Sequence, residues 1–575
     1  MFRKNEEHRQ ESFFSGLCLL PERLQQKLLI SWAETFYQEL FCRIDEEIFR
    51  PLYSDEASRP NTPVNVLLGV EILKSGYGWS DEELHEHVCF DLQTRHALGS
   101  DDLRDEVFSL RTLYNFRRRV RAYAEEHGVN LIQRAFEQVT DKQLQAVNVA
   151  TGWQRMDSTQ VLSNLAKASR LELLVSVLQA VRQQLPEAMK EPWAERWGSY
   201  VEKRPHQVCY RIAVDEVPDH LETIGQELCA VDAALAEEAP ESAVRGLVRR
   251  VLEEQYEQDA KGQVALRSKE EIGADSLQSP HDPDATYRVK GATKYPGGYV
   301  VNVSETADPE NEVQLITDVQ VEPNRTDDTK LMAQSLDDQA ARGIAVQQIT
   351  VDGGYTGPKG EAACEKHGVE LRATRMRGGH NAPHHWGWQD YSWEMAEKDI
   401  PVNVTCPQGC TAAVFPGRAQ DRFLARFDAA RCATCPFFQT MCRVEPRKRL
   451  GPTLYMTQRD IVVALRRQQM RPEEASIRAV VESTVRSLKR AFPGSKLPVR
   501  GLVRARMMFY PAAMMVNLRR LHSCFKKTAE GASQKAISCW SSLSSALRGC
   551  WTGIHRCFSL LPSIIGHRRP VALTT

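Results

Sequence analysis

The segment from residue 298 to residue 352 constrains the fold most, because its apolar residues recur at the spacing of β-strands, then at the spacing of a helix, and then again as a strand. In chain order they indicate a strand over 298–304, a polar turn over 308–312, a strand over 313–321, a helix over 327–342 and a strand over 346–351. The first two strands read as a β-hairpin, and the last strand ends at Asp352. A strand–helix–strand unit of this kind predicts an α/β sheet.

Helical signals dominate the chain before this segment. Residues 20–48 carry apolar positions at helical spacing, and Pro60 and Pro63 precede a helical stretch over Val64–Lys74. Ser80-Asp81-Glu82-Glu83 has the pattern of a capping box, so another helix should begin there. Residues 170–276 are charged and helical with few β-branched runs, which predicts an inserted helical subdomain ending in a polar linker over 261–283.

Length and composition set the class of protein. A chain of 575 residues is too long for one core, so two to four domains are expected. A hydrophobic fraction of 42% and a charged fraction of 26% are typical of soluble globular proteins. The 74 Lys and Arg residues nearly balance the 75 Asp and Glu residues, which argues against a histone-like binder but permits local basic patches. No stretch has the length of a membrane span, and the N-terminus has no apolar signal region. A cytoplasmic protein with mostly free thiols is therefore expected.

Two aspartates stand in contexts that suit metal binding. Asp352 follows an apolar strand and precedes Gly353-Gly354, at the carboxyl end of a strand where α/β sheets usually place their ligands. Asp157 stands in Arg155-Met156-Asp157-Ser158-Thr159. Carboxylate oxygens are the ligands that Mg²⁺ prefers. Taken singly, each aspartate is explained equally well as a turn or helix-cap residue.

A third acid lies in a helical stretch with two cations. At 100° per residue, Arg478, Glu482 and Lys489 fall within about 40° of one another. Glu482 on such a stripe suits a metal ligand, and the two cations suit contacts with phosphates. The alternative is an exposed helix face stabilised by ion pairs between neighbouring turns.

An arginine-rich helix is predicted near residues 109–123. Between positions 111 and 121 it holds five arginines and two aromatic residues, which suits a surface that follows DNA phosphates. The arginines predicted to bind DNA are Arg117, Arg118, Arg119 and Arg121. An amphipathic helix with a solvated basic face explains the same composition.

Five cysteines cluster between residues 406 and 442, in the spacings Cys406-x3-Cys410 and Cys432-x2-Cys435, followed by Cys442. Paired thiolates separated by strand-like residues predict a small structural Zn²⁺ site, with Cys406, Cys432, Cys435 and Cys442 as the preferred ligands. Reduced core cysteines are the alternative. His380, His384 and His385 are nearby candidates, which a polar loop also explains.

The three acid motifs, in order, resemble those of the DDE transposases of bacterial insertion sequences. The resemblance rests on Asp157-Ser158-Thr159, on Asp352-Gly353-Gly354-Tyr355-Thr356-Gly357 and on Arg478-x3-Glu482-x6-Lys489. The Tyr that precedes the last motif in the family is Ala475 here. Residues 45–125 also resemble the N-terminal domain of many such transposases, and the likeness covers about residues 20–520.

This resemblance implies an RNase H-like core in which Asp157, Asp352 and Glu482 bind Mg²⁺, or Mn²⁺, and catalyse DNA strand cleavage and strand transfer. Arg478 and Lys489 would contact DNA phosphates. The partners implied are double-stranded DNA with terminal inverted repeats and target DNA, bound by a homo-oligomer in the bacterial nucleoid. A related nuclease that does not join strands, and an inactive DNA-binding remnant, are the alternatives.

The expected architecture is multidomain α+β, with a helical N-terminal domain and an RNase H-like α/β core interrupted by a helical insertion and a small Cys-rich insertion. The predicted ranges are an N-terminal domain over 20–130, core segments over 150–169, 281–400 and 451–522, a helical insertion over 170–280, a Cys-rich insertion over 401–450 and a tail over 523–575.

Overall fold

The computed structural model describes residues 1–9, 19–54, 56, 60–102, 104–258, 264–290, 292–374, 386–396, 400–417, 421–447, 451–469, 472–528 and 530, with the backbone alone at 9, 258, 463, 466 and 469 and over 472–479. The chain divides into two compact units, residues 1–518 and residues 519–575. In the second unit, residues 519–528 are helical.

The N-terminal region is helical, as predicted. Its helices are α1 (Glu22–Leu29), α2 (Trp32–Glu39), α3 (Val64–Tyr77), α4 (Asp81–Phe90), α5 (Leu92–Ala97), α6 (Leu110–His127) and α7 (Leu131–Ala146), with 3₁₀ turns at Glu7–Arg9, Phe41–Arg43 and Glu46–Leu52. α3 begins after Pro63 and ends at Gly78, whose φ of 77° is a left-handed conformation that glycine adopts at low cost. The predicted capping box is confirmed, because the Ser80 side chain and Glu83 exchange hydrogen bonds with each other's backbone.

The first core strand, β1 (Trp153–Leu162), is followed by the helical insertion. The insertion contains α8 (Arg170–Gln184), α9 (Glu187–Trp197), α10 (Ser199–Glu202), α11 (Pro205–Cys209), α12 (Val217–Glu238), α13 (Ala243–Gln255) and the hairpin of β2 (Tyr256–Gln258) and β3 (Val264–Leu266). These elements bury an apolar core of their own, which includes Trp197 and Tyr256. The Tyr256 hydroxyl donates a hydrogen bond of 2.7 Å to the carbonyl oxygen of Leu221, so the ring is held in place.

A mixed sheet, here called the core sheet, forms the centre of the chain. After β1 its elements are β4 (Thr286–Lys290), β5 (Thr293–Thr306), β6 (Ile316–Pro323), α14 (Asp328–Ala341), β7 (Gln348–Val351), α15 (Pro358–His367) and β8 (Glu370–Ala373). The strand order is β6–β5–β1–β7–β8, and β4 pairs with the first part of β5. β6, β5 and β1 are antiparallel, whereas β1, β7 and β8 are parallel. The predicted hairpin, helix and strand between residues 298 and 351 are confirmed.

A second sheet, the Cys-rich sheet, follows β8. It contains β9 (Ser392–Met395), β10 (Pro401–Thr405), β11 (Thr411–Pro416), β12 (Arg422–Arg426), α16 (Ala429–Ala433), β13 (Glu445–Arg447) and β14 (Gly451–Thr457), with a 3₁₀ turn at Trp388–Asp390. The strand order is β13–β14–β12–β11–β10–β9. Residues 451–457 were expected among the C-terminal core helices but form β14, since Leu454 and Met456 alternate into this sheet's own core.

The C-terminal helices of the first unit return to the core sheet. They are α17 (Gln458–Gln469), α18 (Pro472–Leu488) and a helix over 502–518, with a 3₁₀ turn at Pro493–Ser495. One face of the core sheet packs on α14 and α15 through a cluster that includes Met156, Val351 and Tyr355. The opposite face packs on α18 and the N-terminal helices. None of the helices in the described ranges combines the length and apolarity that a membrane span requires.

Candidate active site

Two aspartates lie side by side at the centre of the core sheet. β1 and β7 are parallel, and their register, continued by two residues past Arg155, sets Asp157 beside Asp352. Neighbouring strands lie about 4.8 Å apart, so this register sets the backbones of the two aspartates next to each other. Met156 enters the core on the α14 side, so Asp157, the next residue of the strand, leaves the sheet on the opposite face, and Asp352 is the first residue after β7. Asp157 is in the interior of a strand, not in a turn or helix cap, and is buried.

The loop after β7 holds Asp352 through backbone and side-chain hydrogen bonds. The backbone N–H of Gly354 donates to Oδ1 of Asp352 over 2.6 Å. Tyr355 is fully buried, and its hydroxyl donates to Oδ1 of Asn302 over 2.7 Å. Asn302 lies on β5 opposite Ser158 of β1. The loop that carries the second aspartate is therefore fastened to the strands on the far side of the first.

α18 covers the face of the sheet on which Asp157 lies. It contacts both β1 and β7, and its Val481, Val485 and Leu488 are buried. Glu482 is exposed at the edge of this buried stripe. The helix predicted to carry Glu482 is thus present, and it places this acid on the same face of the sheet as Asp157.

Lys489 reaches from the end of α18 to the strand of the first aspartate. Its Nζ donates to Oγ1 of Thr159 over 2.9 Å, and Thr159 is on the same side of β1 as Asp157. Burial lowers the pKa of Lys489, and the nearby charge of Lys290 lowers it further. The side chains of Arg478 and Ala475 lie outside the described residues.

A buried ion pair fixes α18 on the sheet. Nε of Arg155 donates to Oε1 of Glu305 over 2.6 Å, and Oγ1 of Thr484 donates to Oε2 of the same carboxylate over 2.8 Å. Arg155 is 5% exposed and Glu305 is 0% exposed, so water does not screen this pair. Arg155 and Glu305 are opposite each other on β1 and β5, two residues from Asp157 along the strand.

Sequence reasoning missed a buried acid next to the central strand, Asp328 at the start of α14, on the face of the sheet opposite α18. It is 4% exposed, and its Oδ1 accepts a hydrogen bond of 3.0 Å from Oγ of Ser158, the neighbour of Asp157. Burial raises the pKa of Tyr355 well above its usual value, and the charges of Asp328, Asp157 and Asp352 raise it further. The only sequence signal was the Asp-Asp pair at the predicted helix start, which N-capping by Asp327 explains by itself.

The donor set suits a hard divalent cation, because carboxylate oxygens are what Mg²⁺ and Mn²⁺ bind. Asp157 and Asp352 are adjacent, and Glu482 stands at the edge of the helix above them. In the part of the chain that the structure describes, no three His, Cys, Asp or Glu side chains are placed to hold a metal ion. The backbone therefore brings two of the predicted ligands together, and the third lies on a neighbouring element.

The arginines of α6 divide into two groups. Arg117 points inward, where its Nε donates to Glu71 over 2.5 Å and its Nη2 to Asp81 over 2.7 Å. Burial raises the pKa of Asp81, but the hydrogen bonds and charges of Arg117 and Lys74 outweigh this effect and hold the pKa at about 2. Arg117 thus joins α6 to α3 and α4, and its predicted place on a DNA surface loses support. On the other hand, Arg118 and Arg119 are exposed, Arg119 lies 5.1 Å from the ring centre of Tyr53, and Arg121 pairs with Glu125 over 3.4 Å.

The five cysteines lie around the core of the Cys-rich sheet. Cys432 is buried, and its pKa is raised to about 11, first by burial and then by the neighbouring thiol groups of Cys442, Cys410, Cys406 and Cys435. The backbone N–H of Cys410 donates to Sγ of Cys406 over 3.4 Å. The thiols are therefore near one another, although no three of them form a metal-holding group as placed. His380, His384, His385 and the tail over 531–575 lie outside the described residues.

Comparison with known proteins gives two family matches. Residues 25–119 match the transposase domain DUF772, and residues 405–522 match a transposase DDE domain. The first match includes α3 to α5 and part of α6, and the second includes the five cysteines, Glu482 and Lys489. Asp157 and Asp352 lie outside both. No curated protein and no solved structure gave a match.

Proposed function

We propose that this chain, whose resemblance to insertion-sequence transposases is confirmed by the two domain matches, cuts DNA at the ends of a mobile element and joins those ends to target DNA. The observation that carries the proposal is the placement of Asp157 and Asp352 on adjacent parallel strands, under the helix that bears Glu482. Acids in this relation suit phosphoryl transfer to a water molecule or to a DNA 3′-hydroxyl.

We infer that the core sheet has an RNase H-like fold. Three antiparallel strands, β6, β5 and β1, continue into the parallel strands β7 and β8, and helices cover both faces. In that arrangement the first acid lies on the central strand, the second at the end of the neighbouring parallel strand and the third on a C-terminal helix. Residues 163–285 and 386–457 are insertions between these elements.

Asp157, Asp352 and Glu482 would hold Mg²⁺ or Mn²⁺. When bound, such ions polarise the phosphate and lower the pKa of an attacking water. The chain's own residues set the geometry, because Tyr355 and Gly354 fix the Asp352 loop while Thr484 fixes α18. Lys489, held by Thr159, supplies positive charge beside the acids, where a DNA phosphate would otherwise be repelled.

The proposal includes the DNA and the assembly. We infer that the substrates are duplex DNA with terminal inverted repeats and target DNA, and that a homo-oligomer of the chain brings two ends together. Exposed Arg118 and Arg119, which lie in the segment that matches DUF772, are the α6 side chains best placed for phosphate contacts.

Carboxylate-to-amide variants test the function. Asp157→Asn, Asp352→Asn and Glu482→Gln keep side-chain shape but remove the charge, so each should lower Mg²⁺-dependent cleavage of a duplex from the DNA flanking the reading frame by at least about a hundredfold. Binding of the duplex should persist. Glu310→Gln, at an exposed position in the β5–β6 turn, is the matched control and should cleave normally.

The products separate the alternatives. Cleavage followed by joining to a second duplex supports a transposase. Cleavage without joining identifies a nuclease, and binding without cleavage identifies a DNA-binding remnant. Full cleavage by Asp157→Asn would falsify the assignment of the acids.

A further inference from the structure

The segment that follows Glu482 is basic throughout. Between positions 483 and 518 it has seven cations and no Asp or Glu, in a chain whose formal net charge is only -1. Arg506 forms an ion pair with Glu322, and the other six cations form none with the residues that the structure describes. Their charges therefore make this part of the surface positive. The six are Arg486, Lys489, Arg490, Lys496, Arg500 and Arg504.

A loop over residues 496–500, here called the basic loop, lies beside the last residues of β1. Lys496 forms a parallel bridge with Leu162, and the backbone N–H of Leu497 donates to the carbonyl oxygen of Leu162 over 2.8 Å. Further along, the backbone N–H of Asn164 donates to the carbonyl oxygen of Val499 over 3.2 Å. These bonds fix the basic loop along the strand that carries the first aspartate.

The basic loop takes the edge of β1 on which Asp352 also lies. β5 occupies the other edge of β1 as far as Leu162, and β7 pairs with the near edge only at residues 153–155. Asp352 is the first residue after β7, so its loop and the basic loop follow each other along one edge. At about 3.3 Å per residue, Leu162 is about 17 Å from Asp157 along the strand, which is the length of about five base pairs.

Lys489 stands between the acids and the basic loop. Its Nζ donates to Oγ1 of Thr159 over 2.9 Å, and Thr159 is on the face of β1 from which Asp157 projects. Along β1, Lys489 is therefore two residues from the first acid, and Lys496 is five residues from it. The two lysines form a row of positive charge that begins at the acids.

Neutral backbone groups hold the cations of the basic loop in place. Nζ of Lys496 donates to the carbonyl oxygen of Leu165 over 3.1 Å, and Nε of Arg500 donates to the carbonyl oxygen of Asn164 over 2.8 Å. Both Lys496 and Arg500 are exposed. Each head group keeps further N–H donors, and its full charge, for another partner. An anion can therefore bind to groups that are already positioned.

We propose that the basic loop binds the sugar–phosphate backbone of duplex DNA, through Lys496 and Arg500, about five base pairs from the phosphate that is cut. This inference rests on the proposed function, because the acids define which phosphate is cut. Cations fixed in a row along one strand suit the regular row of phosphates in a duplex. Contacts with phosphates read no base sequence, so the basic loop would set the position of the duplex and leave sequence recognition to other elements.

Salt-dependent binding tests the basic loop. The probe is a duplex of about 40 base pairs of arbitrary sequence, bound without metal over a series of salt concentrations. Lys496→Gln and Arg500→Gln should each weaken binding about threefold to tenfold and reduce the slope of log affinity against log salt by about 1. Arg500→Lys keeps the charge and should keep the slope. Lys330→Gln, at an exposed position of α14 on the opposite face of the core sheet, is the matched control and should change neither affinity nor slope.

Neutral phosphates test the distance between the basic loop and the acids. Each duplex, taken from the DNA flanking the reading frame, carries one uncharged methylphosphonate linkage at a chosen distance from the cleavage site. A neutral linkage about five base pairs from that site should weaken binding by the wild-type chain. The same linkage should not change binding by the Lys496→Gln, Arg500→Gln double variant. Equal weakening of both proteins at every linkage would place the contacts elsewhere and overturn the proposal.

The basic loop and the proposed function fail in different ways. Unchanged affinity and salt slope in the double variant overturn the role of the basic loop, while cleavage by that variant at saturating protein leaves the proposed function standing. Binding that depends on both side chains, in a chain that never cleaves DNA, supports DNA binding by the basic loop and overturns the proposed function. If the double variant loses affinity for polyglutamate but not for the duplex, the basic loop binds an acidic protein and the proposal is wrong.

Discussion

The hydroxyl of Tyr355 donates a 2.7 Å hydrogen bond to Asn302, two strands away from β7, the strand that precedes Asp352. The bond passes beneath β1, so the loop of the second aspartate is fixed relative to the strand of the first.

Tyr355→Phe removes this bond while keeping the buried ring. A buried amide oxygen that loses its donor costs about 1–3 kcal/mol, part of which should appear as looser placement of Asp352. We expect a higher Mg²⁺ concentration for half-maximal cleavage, with partial recovery in Mn²⁺. Tyr200→Phe, which removes a hydroxyl in the helical insertion, should change stability without moving the metal dependence. An unchanged metal dependence in Tyr355→Phe would show that the bond does not position the acid.

Arg155→Met should destabilise the fold strongly, because it leaves the Glu305 carboxylate buried without its cation. Breaking a buried pair from one side costs about 3–5 kcal/mol. The double variant Arg155→Met, Glu305→Met removes both charges and should recover much of the loss. Urea unfolding of the wild-type chain and the two variants measures their free energies of unfolding. A double variant less stable than the single one would contradict this account.

Asp318 should make stability depend on pH near neutrality. It lies in β6 at 2% exposure, and Oδ2 has no hydrogen-bond partner among the described residues. Burial raises its pKa to about 7, against the opposing effects of Ser335 and Arg342, and Asp338 and Glu137 raise it further. A folded pKa above the unfolded one means that protonation stabilises the fold, and that this stability is lost as pH rises towards 7.

The free energy of unfolding should fall by about 1.4 kcal/mol for each pH unit between about pH 4 and pH 7 because of Asp318. Asp318→Asn cannot ionise, so its melting temperature should vary less than that of the wild-type chain between about pH 5 and pH 8. Asp215→Asn, at an exposed position in the helical insertion, should leave the wild-type pH dependence unchanged. Equal pH dependence in the Asp318 variant and the wild-type chain would argue that Asp318 is ionised throughout.

Gly298→Ala should disrupt the pairing of β5 with β1. A Cβ at this position would lie 2.0 Å from the carbonyl oxygen of Val161, which is backbone and cannot turn aside. Overpacking of this kind costs about 1–3 kcal/mol or more. Gly246→Ala, in α13 with nothing within 4 Å of the added carbon, should instead stabilise slightly. Thermal unfolding of the two variants should therefore shift in opposite directions.

Zinc binding by the Cys-rich sheet stays a prediction, and metal analysis tests it. We expect about one zinc per chain, lowered by Cys432→Ser. Cys364→Ser, at a buried position of α15, is the matched control and should keep the metal. Metal-free protein with all five thiols titratable would favour reduced core cysteines instead.

Local patterns predicted the elements around the site well. The strand before Asp352, the helix after Asp327 and the capping box at Ser80 depend on residues a few positions apart, so periodicity and capping reveal them.

Relationships across the fold were beyond such patterns. Arg117 looked like its exposed neighbours, but Glu71 and Asp81 on other helices turn it inward. Asp328 has no unusual local sequence, and its hydrogen bond joins it to Ser158, 170 residues earlier in the chain. Charge and composition cannot show which residue a fold brings opposite another.

The helical insertion has a consequence for synthesis on the ribosome. Leu162 of β1 pairs with Gly298, so the strand that carries Asp157 is made long before its partner in β5 exists. Non-local pairing of this kind is slow, whereas the insertion buries an apolar core of its own and depends on neighbours closer in sequence. The helical insertion should therefore fold on the nascent chain before the strand that carries Asp157 has paired. Until β5 is made, that strand is unpaired and can aggregate.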